Sequence, residues 1–271
     1  MTLISNEIHL QPNLDDVFII CCADTRLTFR GETNKKKKYL KGHKLFKIEY
    51  LNGTVSFWGA TSLFENNVQK YLSNWLPNFI TKRNHHTTLK SFVDDLRSEL
   101  NRKMYKPFLE KEASGFHFAC INPNGVPEFI HFSNCGLDAS TGNYGNIINE
   151  FREPQEDFLK RDVFEFNWNG DPKTYTAVPG ISLYRNGSIK AHSAAWSKLD
   201  EAYRTLFLYP DFKYPDGNVN ADIIKFTRQK LLFISSLYNS WAQTKIVGAP
   251  WDIIILRKKN YSVHSRPNTS T

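Results

Sequence analysis

The apolar and polar positions of this chain fall into blocks with two different periods. Residues 17–23 form a continuous apolar run that stops at Asp24-Thr25-Arg26, the pattern of a strand buried on both faces. From Lys44 to Tyr50 apolar and polar residues alternate, Asn52-Gly53 offers the residues of a type I′ turn, and residues 54–58 return, which predicts a hairpin. Ser62-Leu63-Phe64-Glu65 then reads as a capping box opening a helix. Its stripe is Leu63, Phe64, Val68, Tyr71, Leu72, Trp75 and Leu76, and Pro77 closes it. A second helix is expected from about Thr88, with Leu89, Phe92, Val93, Leu96 and Leu100 at helical spacing.

Strands resume at 116–121 and 128–132 around the loop 122–127, a second hairpin. His117 and His131 alternate with aromatic residues there and read as half-buried or solvent-side groups, not metal ligands. His85-His86 lies in a polar loop and reads as solvated. Residues 136–217 are the least legible and are taken as an insertion, with one helix at 191–208. A last helix at 221–241 carries Ile224, Thr227, Leu231, Ile234, Tyr238 and Trp241 on one stripe. After Gly248-Ala249-Pro250 comes a buried strand, 251–256. The expected organisation is one domain to about residue 260, with 261–271 a disordered tail. Strands, a pair of helices, strands, an insertion, a helix and a strand form segregated layers, an α+β pattern, not a βαβ succession.

Composition changes this picture little. The 271 residues carry a formal net charge of +8, partly local to Lys35-Lys36-Lys37-Lys38 and Arg257-Lys258-Lys259. No aromatic residues interleave with the lysine run, so it reads as a solvated loop and nucleic acid is not the expected partner. An acidic peptide is compatible with that charge. Cys21, Cys22, Cys120 and Cys135 are too few for a disulfide scaffold and lack zinc-ligand spacing, which suits buried thiols in a reducing cytoplasm. Neither a membrane-spanning apolar run nor a secretory leader is read in the sequence.

Several short motifs, taken in order, resemble the proteasome β-subunit and its bacterial relatives among the N-terminal nucleophile (Ntn) hydrolases. Thr2-Leu3-Ile4-Ser5 would be the first strand once Met1 is removed. Ala23-Asp24-Thr25-Arg26 stands where the family has Ala-Asp-Ser-Arg, and Lys44-Leu45-Phe46-Lys47-Ile48 where it has its lysine followed by Leu-Phe and isoleucine. Trp58-Gly59-Ala60-Thr61 takes the place of the oxyanion glycine ahead of the first long helix. Gly248-Ala249-Pro250-Trp251-Asp252-Ile253 echoes the last strand. Departures accompany the match: residues 6–16 read as an extended turn, the family's supporting aspartate and serine fall on Thr244 and near Val247, and its other serine has only Ser133 or Ser140 as candidates.

The resemblance implies a four-layer αββα sandwich, a threonine-type peptidase or amidohydrolase, a peptide or protein substrate and a homo-oligomer. It implies no metal or cofactor. Thr2 would be nucleophile and, through its freed α-amine, base; Lys44 would tune the pair, Asp24 would hold Lys44, and the Gly59 N–H would meet the oxyanion. The alternative is a catalytically inactive scaffold or recognition subunit of the same fold. Each residue also has a plainer reading: Asp24 as a strand-end cap beside Arg26, Lys44 as a solvated charge, Gly59 as a bend or close backbone approach.

Overall fold

In a computed structural model the chain is described over residues 3–10, 17–28, 39–65, 68–138, 143–155, 180–187, 199, 219–241, 250–257 and 262–263. Most of the expected insertion at 136–217, its helix at 191–208 and the lysine run lie outside these residues. The fold is α+β and its sheets are antiparallel. One sheet has five strands in the order β13-β1-β2-β14-β15, where β1 is Leu3–Leu10, β2 Val17–Asp24, β13 Gly180–Gly187, β14 Trp251–Arg257 and β15 Ser262–Val263. The other is β10-β9-β6-β5, where β5 is Leu45–Ile48, β6 Gly53–Trp58, β9 Gly115–Ile121 and β10 Pro127–Ser133. Short pairs β3 (Arg26–Thr28) with β4 (Tyr39–Lys41), β7 (Ser62–Glu65) with β8 (Val68–Tyr71), and β11 (Gly136–Asp138) with β12 (Asn143–Gly145) complete the strands. The helices are α1 (Leu72–Lys82), α2 (Leu89–Lys103), α3 (Lys106–Leu109) and α4 (Val219–Trp241).

The apolar side chains segregate into three clusters because strands alternate their two faces. Phe57, Phe116, Phe118 and Phe132 of the four-stranded sheet pack with Trp75, Leu76, Phe92, Leu96 and Leu100 of α1 and α2. Ile4, Ile8, Ile19 and Ile254 of one sheet meet Leu45, Trp58, Ile121 and Phe129 of the other. Phe18, Ile20, Cys22, Ile253 and Ile255 pack with Ile224, Leu231 and Ile234 of α4. β2 is thus covered on both faces, which is why its sequence is an unbroken apolar run. In α2, Thr88 caps the N-terminus by accepting the Ser91 N–H at 3.2 Å, and all five residues of the expected stripe are buried.

Five expectations are corrected. The capping box does not open a helix: residues 62–71 form the β7–β8 hairpin, and α1 starts at Leu72 and continues through Pro77. Phe64, Val68 and Tyr71 had the spacing of a helical stripe but are 38%, 59% and 37% exposed, so the described residues leave that face partly open. The connection between β5 and β6 is a 3₁₀ turn over Glu49–Leu51 with Asn52 left-handed at φ 45°, and Gly53 is already a strand residue opposite Ile48. Gly53 serves close approach instead, since a Cβ there would meet the Ala119 carbonyl at 2.9 Å. β1 runs on through Leu10, over residues read as a turn, because Ser5, Asn6, Glu7 and His9 are polar yet buried. His86 is not solvated: its ring is within hydrogen-bond distance of Ser91 Oγ and Asp95 Oδ2, each at 3.1 Å. Within the expected tail, Ser262 and Val263 pair with β14.

Candidate active site

Asp24 ends β2 and Lys44 immediately precedes β5, on facing sheets, and the stretch Gly42-His43-Lys44 is fastened to the other sheet at each residue. The Gly42 N–H donates to the Thr25 carbonyl at 2.9 Å. His43 Nδ1 lies 2.8 Å from Asp252 Oδ2. Lys44 Nζ donates to Asp24 Oδ1 at 2.9 Å, and the Lys44 carbonyl accepts the Phe57 N–H of β6 at 3.1 Å. Thr25 Oγ1 donates to the Pro250 carbonyl at 3.0 Å, closing this corner.

The ion pair is fully buried, with both side chains 0% exposed. Removing two ions from water costs several kcal/mol each, while their attraction at this separation is worth roughly 6 kcal/mol at an effective dielectric near 20. The two terms nearly offset each other, so stability alone does not account for the pair. Burial pushes the Asp24 carboxyl above the usual carboxylate range, against the opposing pull of the Lys44 ammonium and the Leu3 N–H. That N–H, at the start of β1, donates to Asp24 Oδ1 at 2.9 Å. Asp24 Oδ2 is buried and has no hydrogen-bond partner among the described residues.

Gly59 follows β6 at the same end of the sheets. Its φ is +80°, and a Cβ would lie 2.2 Å from the Ala113 carbonyl oxygen and 2.5 Å from Ser114 Oγ, so only glycine fits. The following N–H, of Ala60, donates to Ser114 Oγ at 2.8 Å. Asn134 fixes that neighbour: its Oδ1 accepts the Ser114 N–H at 2.7 Å, and its Nδ2 donates to the carbonyls of Leu109, Glu112 and Ile148 at 2.8, 3.1 and 3.2 Å. The glycine is thus held in a bonded frame that a crossing loop completes.

Of the four site residues read from the sequence, Lys44 and Asp24 are joined, and Gly59 immediately follows β6, the strand whose Phe57 N–H donates to the Lys44 carbonyl. Lys44 is not the solvated charge its lysine-rich surroundings suggested. Thr2 lies outside the described residues; its peptide bond to Leu3 ties it to the residue whose N–H meets Asp24. Ser140, Thr244 and Val247 also lie outside, and Ser133 Oγ donates to the Cys135 carbonyl at 2.8 Å. Sequence reading gave no role to His43, Asp252, Ser114 or Asn134. Asp252 had a signal in its place within the motif at 248–253, whereas Ser114 and Asn134 sit in loops with none.

Other chemistry finds little support among the described residues. All four cysteines are buried and free, and burial pushes the Cys21 thiol up to about 12 and raises Cys22, Cys120 and Cys135 as well. No group of three or more His, Cys, Asp or Glu residues able to hold a metal ion is found among the described residues. No helix among them is long and apolar enough to cross a membrane. No family model matches the chain, and no curated protein sequence matches it.

Proposed function

We propose that the chain is an N-terminal threonine hydrolase that cleaves peptide or other amide bonds, built as a four-layer αββα sandwich of the Ntn type. The observation that carries this reading is the fully buried Lys44–Asp24 pair bonded to the first N–H of β1, at the sheet end where Gly59 turns. The segregation of the core into three apolar clusters supports the layered fold.

In the reaction, removal of Met1 frees the α-amine of Thr2, whose pKa of roughly 7.7–8.0 leaves it partly neutral at cellular pH. That amine takes the proton of Thr2 Oγ as the oxygen attacks the amide carbonyl. The Lys44 ammonium favours the neutral amine and the developing alkoxide. Asp24 keeps the ammonium charged and aimed. The oxyanion of the tetrahedral intermediate accepts the Gly59 N–H, a contribution of roughly 2.7–4 kcal/mol in comparable sites. The amine then returns the proton to the leaving nitrogen, the C–N bond breaks, and water hydrolyses the ester left on Thr2. The same reading places the protein in the cytoplasm as a homo-oligomer acting on a peptide or protein.

The test is the intact mass of the native protein with and without a threonine-directed electrophile. Loss of the initiator methionine and a single adduct on Thr2 are expected. Thr2→Ala should keep the fold and reduce both adduct formation and amide turnover by about a thousandfold or more. A retained Met1 with no adduct defeats the hydrolase and leaves the inactive scaffold or recognition subunit; undiminished turnover in Thr2→Ala defeats the assignment of the nucleophile.

A further inference from the structure

The interface between the two sheets is apolar along most of its length but changes character at the edge where β10 and β13 face each other. A cleft of about 500 Å³ opens there, lined by Trp58, Phe129, Tyr184, His117 and His131 among others. The rings are ordered: Phe129 and Tyr184 stack with centroids 4.2 Å apart, His117 meets Phe129 edge-on at 5.0 Å, and His131 lies 6.0 Å from His117.

His117 is 3% exposed and held from the opposite sheet by two strands. Its Nδ1 lies 2.9 Å from the side-chain amide of Asn6, and its Nε2 lies 2.7 Å from that of Asn186. A neutral imidazole offers one donor and one acceptor, so one of these amides turns its carbonyl oxygen to the ring. Ordering three polar side chains, of which Asn6 and His117 are buried, inside an apolar interface is costly unless they are mutually bonded, as they are here, and the result is a rigid aromatic floor. Charged side chains around the cleft are engaged: Arg185 donates to Glu7 Oε1 at 3.2 Å, and Glu153 accepts from Arg97 at 2.5 Å. Burial holds His131 below the ordinary imidazole range, which keeps it uncharged at neutral pH. Arg152, at the mouth, is already donating to the Asn146 carbonyl at 2.7 Å.

The position of the cleft is as informative as its lining. Trp58 is the residue before Gly59, and Asn186 pairs with Ile4, one residue from the Leu3 N–H that meets Asp24. We propose that this cleft binds an uncharged aromatic side chain, held by the rings of Phe129, Tyr184 and Trp58 and by the imidazole of His131. That the side chain belongs to the substrate rests on the hydrolase reading above. The binding itself does not.

The experiment is a titration with N-acetyltyrosinamide followed by the NMR imidazole signals of His117 and His131, with N-acetylleucinamide as the aliphatic comparison. A Kd on the order of 1 mM is expected for the tyrosine compound, and binding about tenfold weaker for the leucine one. His131→Ala, read through His117, should weaken tyrosinamide roughly fivefold. Absent shifts, equal binding of the two amides, or undiminished binding in His131→Ala would each overturn the proposal. Thr2→Ala goes through the same titration and should bind as the parent does. Absence of a Thr2 adduct on the parent protein with tyrosinamide binding retained removes the hydrolase and keeps the cleft, whereas an adduct on the parent without binding removes only the cleft.

Discussion

Glu7 and Asp24 are the two most deeply buried carboxylates of the five-stranded sheet among the described residues, and they are satisfied to different degrees. Glu7, on the α4 side of β1, has both oxygens engaged: Lys230 Nζ donates to Oε1 at 2.5 Å, Arg185 Nη2 donates to the same oxygen at 3.2 Å, and His9 Nε2 lies 3.4 Å from Oε2. Burial alone would raise its pKa, but Lys230, His9 and Arg185 together hold it well below the ordinary value. Asp24, at the end of the sheet, has Lys44 and Leu3 on one oxygen, no partner among the described residues on the other, and a pKa raised by burial. A saturated buried network fixes one packing arrangement. A buried carboxylate with one oxygen that no described residue bonds, beside a lysine ammonium, is the arrangement that the proposed hydrolase reading uses. The contrast is between a strut and a candidate site within one sheet.

The largest effect that could break this contrast is on stability. Lys230→Met removes the closest cation from Glu7 and leaves the carboxylate buried with Arg185 and His9. A loss of about 3–5 kcal/mol is expected from urea unfolding at neutral pH, with any Thr2 adduct still forming on the fraction that folds. A loss below about 1 kcal/mol would mean that Glu7 is not the strut its bonding suggests.

Most residues of the candidate site were legible in the sequence, and little of the scaffolding around them was. Strands β2, β9 and β14 and helix α2 could be read because each buries apolar residues on a regular period. β1 could be read only as far as Ser5, since Asn6, Glu7 and His9 look like a turn until their buried partners on α4, β9 and β13 are known. The β7–β8 hairpin imitated a helix because Leu63, Phe64, Val68 and Tyr71 share the spacing of one helical face while three of them are exposed. Asp24, Lys44 and Gly59 stood out by type and order alone. Ser114 and Asn134, which hold the frame around Gly59, come from two separate loops more than fifty residues later, and such long-range hydrogen bonds leave no local periodicity.

Asp24→Asn should sharpen the contrast on the functional side. The amide oxygen can still accept the Leu3 N–H, but the buried Lys44 ammonium is left without a counter-charge, so a stability cost of about 3–5 kcal/mol, comparable to that of Lys230→Met, is expected. Lys44 loses its counter-ion, and the rate of Thr2 adduct formation should fall by about a hundredfold or more. Unchanged labelling with a large loss of stability would make Asp24 a second strut.

The smallest effect is the most discriminating, because the two carboxylates carry opposite signs of pH dependence. Glu7 is depressed from its ordinary 4.5, so the folded state binds fewer protons there than the unfolded chain. Its contribution is present above pH 4.5 and is lost as pH falls through the lower folded value. His9, depressed from 6.5 chiefly by burial, acts in the same direction at higher pH. Asp24 is raised from 3.8, so its contribution is present below that pH and is lost as pH rises through the folded value. Urea unfolding of the parent, Glu7→Gln and Asp24→Asn between about pH 3 and 7 reads this directly. The stability difference between parent and Glu7→Gln should grow with rising pH, and the difference between parent and Asp24→Asn should shrink. Two curves of the same sign would mean that Lys44 compensates its carboxylate as fully as Lys230 and Arg185 compensate theirs, and the distinction between strut and site would have to rest on Gly59 and Thr2 alone.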